Sequence, residues 1–131
     1  MNTVELLTGG TPERRAQMQR VHQALYQMHI WPTFRGYSVS MAAAWLVLED
    51  SSRLTAEAAV TRLYLDVGQL CGMSWWAAER NIRRIVQRAW DIAPDQLDAV
   101  AGMHLQKRPT ASQFIGLLTA AALMDGGEGQ A

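Results

Sequence analysis

Residues 64–90 read YLDVGQLCGMSWWAAERNIRRIVQRAW, and the glycine at position 72 divides the stretch into two helical patterns. Beyond it, Ser74 offers a hydroxyl that can cap the free amides of a helix start. Ala78, Ile82, Ile85, Val86 and Ala89 then recur at i, i+4, i+7, i+8 and i+11. That spacing predicts one apolar stripe along a long amphipathic helix. Before the glycine, Val67, Gly68 and Cys71 sit where a helix-turn-helix wants apolar, small and apolar residues, and Ala78 supplies the apolar position of its second helix. The stretch therefore predicts a helix-turn-helix over about residues 64–90.

Working outward, the rest of the chain reads as helices that support this unit. Thr11, Pro12 and Glu13 form a helix start, and Met18, Val21, Leu25 and Met28 recur on one face behind it. This first helix is expected to stop near Trp31-Pro32, with Gly36 marking a further turn. An alanine-rich second helix follows from about Ser38 to Leu48 and is expected to bury Trp45. Asp50, Ser51 and Ser52 break it, and Thr55 with Glu57 opens a third helix that carries Val60, Leu63, Tyr64 and Val67 up to Gly72. After the long helix, Pro94 starts a short one with Leu97 and Val100 inward. A basic turn, Lys107-Arg108-Pro109, leads to Thr110 and Gln113, which fit a capping box. The last helix directs Phe114, Ile115, Leu118 and Leu123 to the core. The fold class is all-α, a compact bundle of about six helices in one domain over residues 1–125. Residues 126–131 have nothing to bury and are expected to form a flexible tail.

Composition agrees with one globular domain: 131 residues, 49% hydrophobic and 18% charged. Lys+Arg and Asp+Glu both number 12, so no global field draws the chain to nucleic acid or membrane, and any such affinity must be local. The single cysteine excludes an internal disulfide framework. No apolar run approaches the ~20 residues of a membrane span, and the start MNTVELLTGG has no signal-peptide pattern. A cytosolic location with no membrane partner is expected.

The local asymmetry lies on the long helix. Trp76, Glu79, Arg80, Arg83 and Gln87 fall opposite the apolar stripe, with Arg84 on one flank. Arginine can grip guanine O6 and N7 with two hydrogen bonds, Glu79 can accept from cytosine N4, and Arg84 or Arg88 can neutralise phosphates. A solvated outer face would carry the same arginines. Trp75 is expected to pack inward, whereas Trp76 is left open between the core and an exposed anchor for a partner or a sugar-phosphate backbone. Elsewhere chemistry is thin. His22, His29 and His104 are scattered, Cys71 reads as a small core residue, and the two Gly-Gly pairs lack the context of a phosphate loop. No catalytic set, metal or cofactor is expected.

Four separated motifs carry a resemblance. Pro32-Thr-Phe-Arg-Gly36-Tyr37, Leu63-Tyr64-Leu-Asp66, Glu79-Arg80-Asn-Ile82-Arg83 through Ala89-Trp90, and Arg108-Pro109-Thr110-Ala-Ser112-Gln-Phe114-Ile115 stand in the same order and at nearly the same spacings as in a known family. Across about residues 17–124 the chain resembles the C-terminal effector domain of the sporulation master regulator, stage zero sporulation protein A. The resemblance implies a six-helix bundle around a helix-turn-helix that binds a short box in double-stranded DNA and regulates transcription of sporulation genes. It places the main base-reading pair at Glu79 and Arg80, with Arg83 beside them. Ser74, Trp76, Arg84, Gln87, Arg88 and Arg108 are assigned to phosphates or flanks; Arg108 matches a basic residue of the family's turn, and its phosphate role is inferred here and not carried over from the family.

The chain also departs from the family. A short helical lead-in stands where the family carries a phosphoacceptor receiver domain, so a stand-alone regulator without aspartate phosphorylation is expected. Ala77 replaces a basic residue, and Trp75 and Trp76 replace polar ones. Leu65 replaces a helix-separating proline, which leaves those helices continuous or differently bent. The acidic segment Asp91 to Asp98 differs in the region the family uses to touch RNA polymerase. Two functions are carried forward. One is a sequence-specific DNA-binding regulator acting as a homodimer or in tandem on DNA. The other is an interaction module that has lost DNA reading and pairs with a related regulator.

Overall fold

The computed structural model describes residues 3–124. The chain forms α1 (Thr3–Thr8), α2 (Pro12–Gln27), α3 (Arg35–Glu49), a 3-10 turn (Ser51–Leu54), α4 (Glu57–Cys71), α5 (Trp75–Ile92), α6 (Pro94–Ala101) and α7 (Ala111–Leu123). No strand occurs among the described residues. The all-α expectation therefore holds, with α1 as an added lead-in helix. The expected flexible tail at residues 126–131 lies outside the described residues.

Three expected helix starts close as the sequence suggests. Thr11 Oγ1 accepts from the Arg14 amide at 3.0 Å, and Ser74 Oγ accepts from the Ala77 amide at 3.2 Å. At α7 the capping box is complete: Thr110 Oγ1 accepts from the Gln113 amide at 3.1 Å, and Gln113 Oε1 accepts from the Thr110 amide at 2.9 Å. Each such cap contributes about 1 kcal/mol by satisfying an amide that the helix itself leaves free.

The ends differ more from expectation. α2 stops at Gln27, four residues short of Trp31, because His29 adopts a left-handed backbone (φ 64°). The His29 amide then donates to the Tyr26 carbonyl and the Ile30 amide to the Leu25 carbonyl, the double closure of a Schellman motif, with Ile30 fully buried. Glycine usually holds that position, so a histidine there gives no stop signal. α3 begins at Arg35 rather than Ser38, and Gly36 lies inside its first turn instead of marking a turn. α4 begins at Glu57, because Thr55 closes the preceding 3-10 turn by donating its amide to the Ser52 carbonyl. It then runs unbroken through Leu65 to Cys71, which settles the open question at that position in favour of one continuous helix.

α3 lies at the centre, packed against α2, α4, α5 and α7, while α2 also packs on α7 and α5 on α6. The core includes Met18, Val21, Leu25, Tyr37, Met41, Leu63, Val67, Phe114, Ile115 and Leu118, together with the whole α5 stripe of Ala78, Ile82, Ile85, Val86 and Ala89. Four apolar expectations fail. Trp75 is 45% exposed, because burial along α5 starts only at Ala78. Leu123 is 63% exposed, because Ala122 takes the inward position in the last turn of α7 and the next residue rotates away by about 100°. Trp45 is only half-buried, with the Arg14 guanidinium stacked 5.2 Å from its ring centre. Val100 is likewise half-buried. No described helix is long and apolar enough to cross a membrane.

Close helix approach is set by missing side chains. A Cβ on Gly36 would stand 2.4 Å from Ile85 Cγ2 and 2.7 Å from the Asn81 carbonyl oxygen of α5. A Cβ on Gly68 would stand 2.5 Å from the Met73 carbonyl oxygen in the turn. Gly72 ends α4 in the left-handed region (φ 71°, ψ 39°) that costs other residues about 1–2 kcal/mol. Gly116 of α7 meets only Leu54 Cδ1, at 3.9 Å. Gly36→Ala is therefore expected to destabilise the protein by about 1–3 kcal/mol through overpacking. Gly116→Ala is expected to be neutral or stabilising by up to about 1 kcal/mol through helix propensity. Urea unfolding of the two variants checks the contrast, and equal effects would contradict it.

Candidate nucleic-acid interface

With its apolar stripe buried on α3 and α4, α5 presents the opposite ridge to solvent. Trp76, Arg80, Arg83 and Arg84 are exposed along it. The Arg80 guanidinium lies over the Trp76 ring, 4.8 Å from its centre. This contact steers the arginine by its planar face while leaving its hydrogen-bond donors free at the edge. Arg83 and Glu79, one turn apart, form a loose ion pair at 3.7 Å, with the Arg83 side chain 60% exposed. Such exposed pairs contribute little to stability, so both groups are available to exchange partners.

A cleft of about 540 Å³ separates this ridge from the segment leading into α7. Glu79, Arg80, Arg83, Arg84 and Gln87 line one side, and Arg108, Thr110 and Ser112 line the other. The far wall is held in two ways. The Tyr64 hydroxyl shares a hydrogen bond with Ser112 Oγ at 2.9 Å, which ties the start of α7 to α4. Burial pushes the Tyr64 phenol above its ordinary range, so this tie stays neutral. The loop after α6 is held by Asp98, whose carboxylate accepts from the Leu105 amide at 3.0 Å and lies 2.8 Å from His104 Nδ1. The Leu105 amide, with the His104 contact next, holds the Asp98 carboxyl below its ordinary range.

Of the nine site residues named from sequence, six line this one cleft: Glu79, Arg80, Arg83, Arg84, Gln87 and Arg108. Ser74 and Trp76 stand at the N-terminal end of the same helix, Ser74 with its oxygen committed to the cap. Gln87 spends its side-chain amide on both carboxylate oxygens of Asp91, at 2.9 Å each. Arg88 is not brought into the group. It turns to the other flank of α5, where its Nε donates to the His29 carbonyl at 3.3 Å and its guanidinium lies 4.7 Å from the Phe34 ring centre. Thr110 and Ser112 were legible as a cap and a motif but not as cleft wall, because their place opposite α5 depends on the packing of α7. Among the described residues no group of three or more His, Cys, Asp or Glu side chains is placed to hold a metal ion.

The Asp98 anchor has a pH signature. A carboxyl held low in the folded state contributes stability above its ordinary range of about 4, and that contribution fades as pH falls through the lowered value. Asp98→Asn is expected to raise amide exchange at Leu105 at neutral pH and to leave the α5 core amides protected. Unchanged exchange at Leu105 would remove Asp98 as the anchor.

Comparison with known proteins places this geometry. No curated protein and no solved structure matches the chain. Residues 21–122, well over half of the 131-residue chain, match the family model described as "Sporulation initiation factor Spo0A C terminal". The match runs from the middle of α2 to the last turn of α7 and takes in α5, its cleft and the capped start of α7, and the chain belongs to the Spo0A C-terminal family.

Proposed function

We propose that this protein is a sequence-specific DNA-binding transcriptional regulator of the cytosol that reads a short site with α5. The observation that carries the reading is the ridge of Glu79, Arg80, Arg83 and Arg84, uncovered opposite a fully buried stripe and faced across a cleft by Arg108. In this reading Arg80 and Glu79 contact base edges, with Arg83 beside them. Arg84 and Arg108 hold phosphates, and Ser74, Trp76 and Gln87 border the contacted strands. Arg88 serves from the opposite flank. One such helix makes few base contacts, so useful affinity requires two copies paired or in tandem on DNA. A contact to RNA polymerase would fall to the α5–α6 corner around residues 91–98, whose acidic character makes it a different surface from that of relatives. Family membership supports regulation at the DNA level, and no step of the reading calls for a cofactor.

The test is fluorescence anisotropy on a duplex carrying the family's box and on a scrambled duplex, at low and near-physiological salt. Arg80→Ala is expected to lose about 1–3 kcal/mol on the box and to erase preference for it. Arg84→Ala is expected to weaken both duplexes alike and to flatten the salt dependence. Equal losses on both duplexes from both variants would overturn the division of roles.

A second reading draws on Leu65, Trp75 and Trp76, which are 43%, 45% and 51% exposed around the α4–α5 unit. Large exposed apolar side chains favour a protein partner. Here the domain pairs with a related regulator instead of reading DNA. Light scattering checks it: a monomer at high concentration, with Trp76→Ala leaving capture of a related regulator unchanged, would remove this alternative.

A further inference from the structure

On its other flank α5 borders a second cleft, of about 350 Å³, whose lining includes Thr33, Arg35, Asn81, Arg84 and Arg88. None of the residues lining it is acidic. Three guanidinium groups of like charge therefore share one cleft, and neutral groups hold two of them in place. The terminal nitrogen of Arg35 donates to the Cys71 carbonyl at 3.0 Å. Arg88 is fixed by the His29 carbonyl and the Phe34 ring. Carbonyls and rings set the direction of an arginine but do not neutralise it, whereas an anion would. Arg84 has no ion-pair partner among the described residues.

The position of this cleft is as informative as its charge. At about 100° per residue, Arg80 and Arg84 lie on the crest of the ridge; Glu79, Arg83 and Val86 fall to one side and Asn81, Ile85 and Arg88 to the other. Arg84 lines both clefts, so the two open on opposite flanks of a single crest. A helix about 10–12 Å across, lying in a major groove about 12 Å wide, has the phosphates of one strand on each flank.

We infer that the second cleft is a phosphate site for one DNA strand, formed by Arg35 and Thr33 at the start of α3 together with Arg88, while the Arg108 cleft takes the other strand. The protein then clamps both strands around α5, and Arg35 becomes a DNA contact contributed from outside the helix-turn-helix. The inference rests on the proposed DNA reading by α5 and extends it. Close packing of α3 on α5 at Gly36 sets where the Arg35 side of the clamp stands beside α5, and the Tyr64–Ser112 bond ties the start of α7 on the Arg108 side.

The test uses the full chain and box duplexes in which single phosphates are replaced by uncharged methylphosphonates. Two runs of sensitive phosphates are expected, one on each strand, bordering the read bases. Arg35→Gln is expected to abolish sensitivity in one run and spare the other, to weaken box and scrambled duplexes equally, and to reduce the salt slope by about 0.9. Arg108→Gln is expected to abolish the other run. A sensitive run on one strand only, or an Arg35→Gln pattern identical to that of the unsubstituted protein, overturns the clamp and leaves α5 reading intact. Failure of the unsubstituted protein to bind either duplex overturns both. The phosphate scan on the unsubstituted protein remains decisive if losing the Cys71 contact keeps Arg35→Gln from folding.

Discussion

The approach of α3 to α5 at Gly36 is the constraint on which the exposed surface depends. α5 occupies the space that a Cβ would need, with Ile85 on one side and the Asn81 carbonyl on the other. A backbone carbonyl inside a helix cannot swing away, so the contact admits glycine and fixes the rotation of α5 about its own axis. Once that rotation is fixed, the apolar stripe is entirely consumed by the core. The arginine ridge then has nowhere to face but solvent. Gly68 does the same for the turn, where the Met73 carbonyl stands in the place of a side chain.

A chain with no net charge acquires a basic surface through the choice of partners for its arginines. Arg53 faces Asp66 at 2.9 Å and Arg62 faces it at 3.5 Å, so these two positive charges share one carboxylate. Along and beside α5 the partners change. Arg80 is held by an indole, Arg88 by a carbonyl and a phenyl ring, and Arg35 by a carbonyl. Each contact costs the group little of its positive field while reducing the rotamer freedom it would lose on binding. Negative charge enters this face through Glu79, loosely paired with Arg83, and at its far end through Asp91, held by the Gln87 amide.

The supporting elements deliver residues from far along the chain to the rim of the same helix. The Tyr64–Ser112 bond and the Asp98 carboxylate bring the segment around Arg108 opposite α5. The Schellman closure at His29 presents its carbonyl to Arg88 and turns the chain toward the start of α3. Both flanks of α5 are thereby built by loops held by hydrogen bonds, from side chains on the Arg108 side and from the backbone at His29.

Local patterns determined much of this protein before any packing was known. The i, i+4, i+7, i+8 stripe on α5, the caps at Thr11, Ser74 and Thr110, and the glycine at the turn follow from periodicity and from free amides seeking an acceptor, which are properties of a few neighbouring residues. The ridge of Glu79, Arg80, Arg83 and Arg84 was legible for the same reason, since whatever lies opposite a buried stripe must be outside. Tertiary structure decided what depends on distant neighbours. Trp75 lies outside because the core begins a turn later, Leu123 because Ala122 fits inward, and α2 ends early because His29 accepts a left-handed backbone that sequence usually reserves for glycine. Arg35 and Arg88 share a cleft only because α3 can touch α5 where glycine leaves room. Periodicity reports which face of a helix is buried, but the partner across a cleft is set by long-range packing that no local pattern encodes.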